Sequence, residues 1–180
     1  MILYILLLVA VVVIGLVAYI ATRPAEFQIV RTATLPAPPE KVFAQVEDFR
    51  LWDAWSPWAR IDPKCVFEYS GAERGVGAHF TWSGNNQVGS GAMTLRESDS
   101  PRRILIDLVF TRPMQATNLT EFTFFPEGRG TRVNWKMTGR NNFMAKAFNV
   151  FVNVDRMVGG QFEQGLANLG SVVSGGTRIH

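Results

Sequence analysis

The sequence predicts an α+β protein in which a curved antiparallel sheet of seven strands wraps one long C-terminal helix, preceded by a separate apolar helix. Three observations support this fold class. Residues 2–21 contain no charged side chain, and the segment from about 64 to 139 is rich in β-branched and aromatic residues between turn signals. From about residue 142 to 170, apolar residues recur at three- and four-residue steps. The part after the apolar segment is long enough for one domain with its own core.

The apolar N-terminal segment predicts a transmembrane anchor, which we place at residues 1–22. Twenty residues at about 1.5 Å each span about 30 Å, the thickness of a bilayer's hydrocarbon core. Tyr4 and Tyr19 lie near its two ends, where aromatic rings favour the membrane interface. The alternative is a cleaved signal peptide. It is disfavoured because no basic residue precedes the segment and because the segment exceeds the usual apolar core of about 7–15 residues.

The charges predict a single-pass membrane protein whose domain faces the cytoplasm, since Arg23 and Arg31 both follow the anchor. The net charge of +3 lies entirely after residue 22. It is spread out, and no basic stripe is interleaved with stacking aromatics, which argues against nucleic-acid binding. Cys65 is the single cysteine, so the chain forms no disulfide within itself.

The start of the domain predicts a strand followed by two short helices. Residues 23–26 are predicted to be a linker, and residues 27–35, which are rich in strand-forming residues, are predicted to be a strand. Pro39 is suited to the first turn of a helix. Residues 51–55 predict a second short helix, which Pro57 ends. The apolar positions at helical spacing in the first helix are Val42, Phe43, Val46 and Phe49.

The rest of the domain predicts six strands in a meander and then one helix, because short turn signals separate the strands. The strand segments are KCVFEYSG, VGAHFTWSG, GSGAMTLRES, RRILIDLVFTR, ATNLTEFTFFPE and TRVNWKMTG. The helix has a stripe formed by Phe148, Val152, Asp155, Val158, Phe162, Leu166 and Leu169. Gly159 and Gly160 interrupt good helix formers, which indicates either close approach to the sheet or a kink.

Four stretches together resemble a known family. They are ATLPAPPEKVFAQVEDFRLWDAWSPW (33–58), GVGAHFTWSGNNQVGSGAMTL (75–95), GTRVNWKMTG (130–139) and DRMVGGQFEQGLANL (155–169). The chain resembles the bacterial polyketide cyclase/dehydrase and lipid-transport family of the START-like, or SRPBCC, superfamily. The resemblance implies a helix-grip fold with a hydrophobic cavity, for which we set the domain at 27–172 and a C-terminal tail at 173–180. The superfamily includes lipid carriers, cyclases, hormone receptors and chaperone regulators, so the fold alone does not select a function.

Alternation along the strands predicts which side chains face the helix and line an apolar site. An ordinary filled core is the alternative for any one of them, while the family's cavity favours a ligand pocket for the set. Large aromatics with flexible methionines suit an adaptable apolar ligand. His79 falls on the opposite face from Phe80, outside the pocket. The predicted ligand-binding residues are Phe80, Trp82, Met93, Leu95, Ile106, Leu108, Phe122, Phe124, Trp135, Met137, Asp155 and Phe162.

Two features leave alternatives open. Trp52, Trp55 and Trp58 are three residues apart, so a helical turn brings them to one side. They either pack the short helices on the sheet, cover the pocket mouth, or touch the bilayer. Asp155 falls on the apolar stripe of the long helix, where a buried carboxylate needs a partner. It either pairs with an arginine such as Arg96, or acts as a polar handle for a ligand, or lies partly exposed at the edge of the stripe. The acidic residues expected on the outer face of the sheet are Glu68, Glu121 and Asp107.

Three functions remain for the sequence. The first is a membrane-anchored binder or carrier of a lipid or other small hydrophobic ligand. The second is a cyclase- or dehydrase-like enzyme, with Asp155 and Tyr69 as the polar pair to inspect. The third is a protein-interaction module with a filled core. No nucleophile–base pair, metal-ligand spacing or phosphate-binding loop is visible, so we predict no catalytic residue, no metal and no cofactor. The sequence predicts no oligomeric state.

Overall fold

The computed structural model describes residues 1–175, so most of the predicted tail at 173–180 lies outside the described residues. The helices are α1 (Ile2–Thr22), α2 (Pro39–Glu47), α3 (Phe143–Phe151) and α4 (Val154–Val173), with short 3-10 helices at Phe49–Ala54 and Pro57–Arg60. The strands are β1 (Glu26–Leu35), β2 (Val66–Gly71), β3 (Ala78–Ser83), β4 (Ser90–Asp99), β5 (Arg103–Arg112), β6 (Ala116–Glu127) and β7 (Gly130–Arg140).

The seven strands form one antiparallel sheet in the order β1-β7-β6-β5-β4-β3-β2. Strands β2 to β7 follow one another as a meander, and the last of them, β7, pairs with β1. The sheet therefore has β1 at one edge and β2 at the other. This architecture, with the long helix α4 at its C-terminal end, confirms the α+β fold class predicted from the sequence.

The C-terminal helical segment is broken in two, where the sequence pattern predicted one helix. Val152 is extended, with φ of −122° and ψ of 127°, and it separates α3 from α4. Asn142 and Asn153 each accept a hydrogen bond at their side-chain oxygen from a backbone N–H three residues on, at 2.8 Å and 2.9 Å. Asparagine is a preferred N-cap because it satisfies a free N–H of the first turn. The predicted single helix over 142–170 is wrong at this point because Asn153 starts a new helix.

The core lies between the inner face of the sheet and the helices α2 and α4. α4 packs along β1, while α2 packs over β6 and β7. Pro39 occupies the first turn of α2, as predicted, and the buried face of α2 consists of Val42, Phe43 and Val46. The first 3-10 helix contributes the buried Phe49 and Trp52.

Helix α1 stands apart from this core. Of its side chains only Ile20 is buried, and no residue of α1 belongs to the core cluster within residues 1–175. Its 21 residues make it long enough and apolar enough to cross a membrane. It ends at Thr22, and Arg23 continues in extended backbone toward β1.

Candidate ligand-binding face

The inner face of the sheet is covered by helices over only part of its width. The half formed by β1, β7 and β6 lies under α2 and α4. The half toward β2 is covered less: the 3-10 helix Phe49–Ala54 reaches β3, where the Phe49 ring lies 6.0 Å from Phe80, and every residue of β2 is exposed. We call the half-buried and exposed apolar side chains of this second half the open face. They are Phe67, Tyr69, Phe80, Trp82, Met93, Leu108 and Phe110.

The covered half is filled by an aromatic cluster around Trp135. Phe162 of α4 lies nearly parallel to the Trp135 ring, with 4.1 Å between centroids and 6° between planes. Trp55 and Trp58 meet Trp135 edge-on at 5.7 and 6.0 Å, and Phe122 lies 4.7 Å from it. Such pairs add about 0.5–1.5 kcal/mol each beyond the burial of their area. This half of the inner face is a packed core.

The three tryptophans that follow α2 pack the short helices onto the sheet. Trp52 and Trp55 are 8% and 0% exposed, and their ring centroids are 4.7 Å apart. Their indole N–H groups donate to the backbone oxygens of Val46 and Gln45 at 2.9 and 3.2 Å. Trp58 is partly buried against the same cluster. The packing interpretation is confirmed, and burial rules out a bilayer contact for Trp52 and Trp55.

The open face presents its aromatic rings side by side on one surface. Phe80 is opposite Tyr69 on one neighbouring strand and opposite Met93 on the other, so all three share a face. The Phe80 ring lies nearly parallel to Phe67 and Trp82, at 5.7 and 6.1 Å between centroids. Phe67 and Tyr69 remain 37% and 40% exposed. The result is a row of aromatic rings with one side accessible to solvent.

The position of Trp82 depends on a glycine in the neighbouring strand. A Cβ atom at Gly91 would lie 2.5 Å from Cη2 of Trp82, so only glycine allows the indole to lie over that strand. The indole N–H donates to the Val88 backbone oxygen at 3.3 Å, and Phe110 meets the ring edge-on at 5.6 Å. Trp82 is thereby held in place while one surface of its ring stays accessible.

The twelve predicted ligand-binding residues fall into three groups. Four belong to the open face: Phe80, Trp82, Met93 and Leu108. Seven are buried in the core: Leu95, Ile106, Phe122, Phe124, Trp135, Met137 and Phe162. The twelfth, Asp155, lies at the start of α4 with 60% of its side chain exposed. The alternation rule therefore assigned the strand residues to one face but did not distinguish its covered half from its open half.

Asp155 pairs with an arginine other than the suggested one. Arg31 of β1 donates to Asp155 Oδ2 at 3.1 Å and to Glu163 Oε1 at 2.6 Å. These hydrogen bonds raise the pKa of the Arg31 guanidinium, and the hydrogen bond to Asp155 has the largest effect. Arg96 instead reaches Asp107 at 3.4 Å. The suggested Arg96 partner is wrong, because Arg96 lies on β4 whereas α4 packs along β1.

Two buried polar atoms on the inner face have no hydrogen-bond partner among residues 1–175. They are Oγ1 of Thr120, which is 3% exposed, and Nε1 of Trp135, which is 2% exposed. Thr120 is opposite Met137 on β7 and Ile106 on β5. Ile106 is two residues from the open-face residue Leu108, on the same side of β5. Thr120 was not among the predicted ligand-binding residues, although its two-residue spacing from Phe122 places it on the inner face. An unpaired buried hydroxyl or indole N–H costs about 1–3 kcal/mol and is a natural contact for a polar ligand atom.

Tyr69 does not form a catalytic pair with Asp155. Tyr69 lies on β2 and Asp155 meets β1 through Arg31, so the two residues are at opposite edges of the sheet. Burial raises the pKa of the Tyr69 phenol, with the negative charges of Asp53 and Asp48 acting in the same direction and Arg50 against them. The phenol is therefore neutral at neutral pH, and its ring lies 5.5 Å from the Arg50 guanidinium.

His79 lies on the outer face, as its alternation with Phe80 and Trp82 predicted. Its Nδ1 is 2.9 Å from the Thr94 hydroxyl, the residue opposite it on β4.

Two clefts stand out on the described part of the chain, and both are open to solvent. One of about 280 Å³ lies between β1 and α4, and the other of about 560 Å³ lies between Arg23, the start of β1 and the α3–α4 junction. Of the twelve predicted residues only Asp155 borders either cleft. Neither cleft is the internal cavity that the family resemblance implied.

A family model described as polyketide cyclase / dehydrase and lipid transport matches residues 26–174. The chain belongs to this family. The match begins at the first residue of β1 and ends one residue after α4, so it contains the complete sheet and excludes α1. This confirms the resemblance seen in the sequence.

Several solved structures have the same fold as this member of the polyketide cyclase / dehydrase and lipid-transport family. Protein CV1439 from Chromobacterium violaceum is 18% identical with a TM-score of 0.59, over 81% of this chain and 96% of that chain. CalU16 from Micromonospora echinospora is 21% identical with a TM-score of 0.55, over 82% and 76%. TTHA0849 from Thermus thermophilus is 18% identical with a TM-score of 0.61, over 83% and 98%. A comparison with curated proteins gave no significant match.

Proposed function

We propose that this protein binds or carries a lipid or another small hydrophobic molecule on its open face, and that α1 holds it at a membrane. The observation that carries this proposal is the row of partly exposed aromatic rings at Phe67, Tyr69, Phe80 and Trp82. Contiguous exposed apolar surface usually marks an interaction site, because leaving it in water is unfavourable. The lipid-transport description of the family agrees with such a ligand.

The chemistry of the open face indicates the kind of ligand it would accept. Aromatic rings and the flexible Met93 offer a surface that adapts to a flat ring system or an acyl chain. The unpaired Oγ1 of Thr120 is buried next to the open face on β6, and it would hydrogen-bond a ligand oxygen that displaces the side chains packed over it. An amphiphile with a hydroxyl or carbonyl group at one end satisfies both parts.

Helix α1 would keep this binding face close to membrane-resident molecules. Its length and apolar composition suit a single crossing of the bilayer. Arg23 and Arg31 follow it, and the positive-inside rule then favours a cytoplasmic domain. Anchoring would keep the open face within a few nanometres of the bilayer, so a poorly soluble ligand travels only a short distance through water.

A specific observation also favours a protein-interaction module as the second candidate. The covered half of the inner face is filled by Trp52, Trp55, Trp58, Trp135 and Phe162, as a core without a ligand would be. In that case the open face would contact a partner protein and would show no affinity for isolated small molecules.

The two candidates are separated by the uptake of a fluorescent fatty-acid probe by the fragment 26–175, which retains the entire core cluster. We expect Phe80→Ala and Trp82→Ala to weaken probe binding about tenfold each, equivalent to about 1.4 kcal/mol of lost apolar contact. Phe125→Ala is the matched control, because Phe125 is 44% exposed on the outer face of β6.

Two outcomes would reject the carrier function. One is a fragment that is folded by circular dichroism and takes up no probe. The other is an equal loss of affinity in Phe125→Ala and Trp82→Ala, which would show that the probe binds elsewhere.

A further inference from the structure

Helix α3 exposes an apolar side that the rest of the protein does not cover. Met144, Phe148 and Phe151 follow one another at four- and three-residue steps, which places them along one side of the helix. Their exposed fractions are 65%, 43% and 77%, and Phe143 in the first turn is 46% exposed. A contiguous apolar patch of this kind usually marks a surface that contacts a partner or a membrane.

The location of α3 identifies that neighbour. α3 packs beside α1, and Nζ of Lys146 donates to the backbone oxygen of Ala21 at 3.3 Å. Ala21 is in the last turn of α1, next to Tyr19, whose ring lies 5.5 Å from the Arg23 guanidinium. Tyrosine and arginine at the end of an apolar helix mark the depth of the membrane interface.

We propose that α3 lies in the surface of the lipid bilayer, with Met144, Phe148 and Phe151 inserted at the boundary between headgroups and acyl chains. A short helix with one strongly apolar side and flanking basic residues is suited to this position. The basic side chains on and beside α3 are Lys146 within it, Arg23 after α1 and Arg156 at the start of α4, which would meet lipid phosphates. The inference rests on the proposed spanning of the membrane by α1 but not on ligand binding.

A second membrane contact changes how the domain is held. A single helix followed by a short extended connection at Arg23 allows the domain to rotate above the bilayer. Insertion of α3 beside the end of α1 provides two contacts, which fix the orientation of the sheet relative to the membrane. The sheet, and with it the open face, would then keep a constant orientation relative to the lipid surface.

Site-specific fluorescence quenching in the full chain tests this inference. Cys65→Ser leaves a chain without cysteine, since Cys65 is the only one. Single cysteines are then introduced as Phe148→Cys in α3, Val12→Cys in the middle of α1, and Phe125→Cys on the outer face of β6 as the control. Each carries an environment-sensitive dye, and the chain is reconstituted in nanodiscs of phosphatidylcholine and phosphatidylglycerol with spin-labelled lipids.

The expected result is strong quenching at position 148 by a spin label high on the acyl chain, quenching at 12 by a deep label, and none at 125. The double substitution Met144→Glu and Phe151→Glu should abolish quenching at 148 while leaving quenching at 12 intact. If 12 is quenched and 148 behaves as 125 does, α1 is an anchor and the inference is overturned. If 12 is not quenched, the anchor and the inference both fail, while ligand binding by the fragment 26–175 is decided separately.

Discussion

Trp82 and Trp135 show how two residues of one type on one face of a sheet take different roles. Trp135 is 2% exposed and enclosed by Phe162, Trp55 and Phe122. Trp82 lies over Gly91 with part of its ring accessible. The difference comes from the helices above them, because α4 packs over the region of Trp135 and leaves Trp82 uncovered.

This difference predicts separate effects on stability. Trp135→Ala should lower the free energy of unfolding by about 3–5 kcal/mol, because it leaves a large cavity in a packed aromatic cluster. Trp82→Ala should cost much less, since its ring is only partly buried. Chemical denaturation of the fragment 26–175 measures both. Equal losses would contradict the division into a covered and an open half.

The same contrast shows what the sequence can and cannot predict. The two-residue period assigned Val133, Trp135 and Met137 to the inner face correctly, since side-chain direction in a strand is a local property. It placed Trp135 and Trp82 in one ligand site because it carries no information on where α4 crosses the sheet. The Arg31–Asp155 pair was missed for the same reason: its partners are 124 positions apart and meet only through that crossing.

The outer face carries a titratable cluster with a defined effect on stability. Glu121 is 15% exposed and accepts hydrogen bonds from Lys136 and Arg103, the latter at 2.6 Å. Burial raises the pKa of its carboxyl, but the two cationic partners together outweigh burial and lower it below the ordinary 4.5. A lowered folded-state pKa stabilises the protein above pH 4.5, and this stabilisation is lost as pH falls through the folded value.

We therefore expect the free energy of unfolding to fall as the pH drops below 4.5, and Glu121→Gln to reduce that slope. The measurement is urea denaturation across the acidic range. Glu97→Gln is the control, because Glu97 pairs with the same Arg103 but is 50% exposed. An unchanged slope in Glu121→Gln would show that other carboxylates dominate the acid response.

At the scale of elements, the adjacent glycines of α4 have different surroundings. Helix α4 is continuous through both. A Cβ at Gly159 would lie 1.9 Å from Nη2 of Arg31, whereas a Cβ at Gly160 would have no neighbour within 4 Å. The first glycine therefore allows Arg31 to approach the helix and reach Asp155, while the second lies on the exposed side.

These surroundings predict opposite consequences for a pair of adjacent substitutions. Gly160→Ala should raise the free energy of unfolding by about 0.5–1 kcal/mol, the usual gain in helix propensity. Gly159→Ala should not give this gain, because the new methyl group displaces the Arg31 guanidinium from Asp155. Thermal denaturation of both variants compares them directly. Equal stabilisation would mean that the Arg31 contact adds nothing to the packing of α4.

The break between α3 and α4 illustrates a limit of periodicity at the element scale. Phe148, Val152 and Asp155 follow helical spacing across it, so the pattern predicted one helix. Asn153 was the available signal, since its side-chain oxygen caps the first turn of α4 at 2.9 Å. The break separates α4 from α3, which packs beside the end of α1 and leaves its apolar side exposed.

At the scale of the whole molecule, the order of elements carried most of the information about the fold. The order of elements is one strand, two short helices, six strands and a helix. It specifies this topology because the six later strands form an antiparallel meander whose last strand pairs with the first strand of the chain. The extent of the open face was not predictable in the same way. It depends on how much of the inner face the helices cover, and here the aromatic cluster at Trp135 fills half of it.

The most direct test of ligand binding is native mass spectrometry of the fragment 26–175, followed by extraction and identification of any bound molecule. Our proposal predicts one defined apolar or amphiphilic molecule per chain, with its occupancy reduced by Trp82→Ala and unchanged by Phe125→Ala. A folded fragment that carries no molecule, and that binds no added lipid, would contradict the proposal and favour a protein partner for the open face.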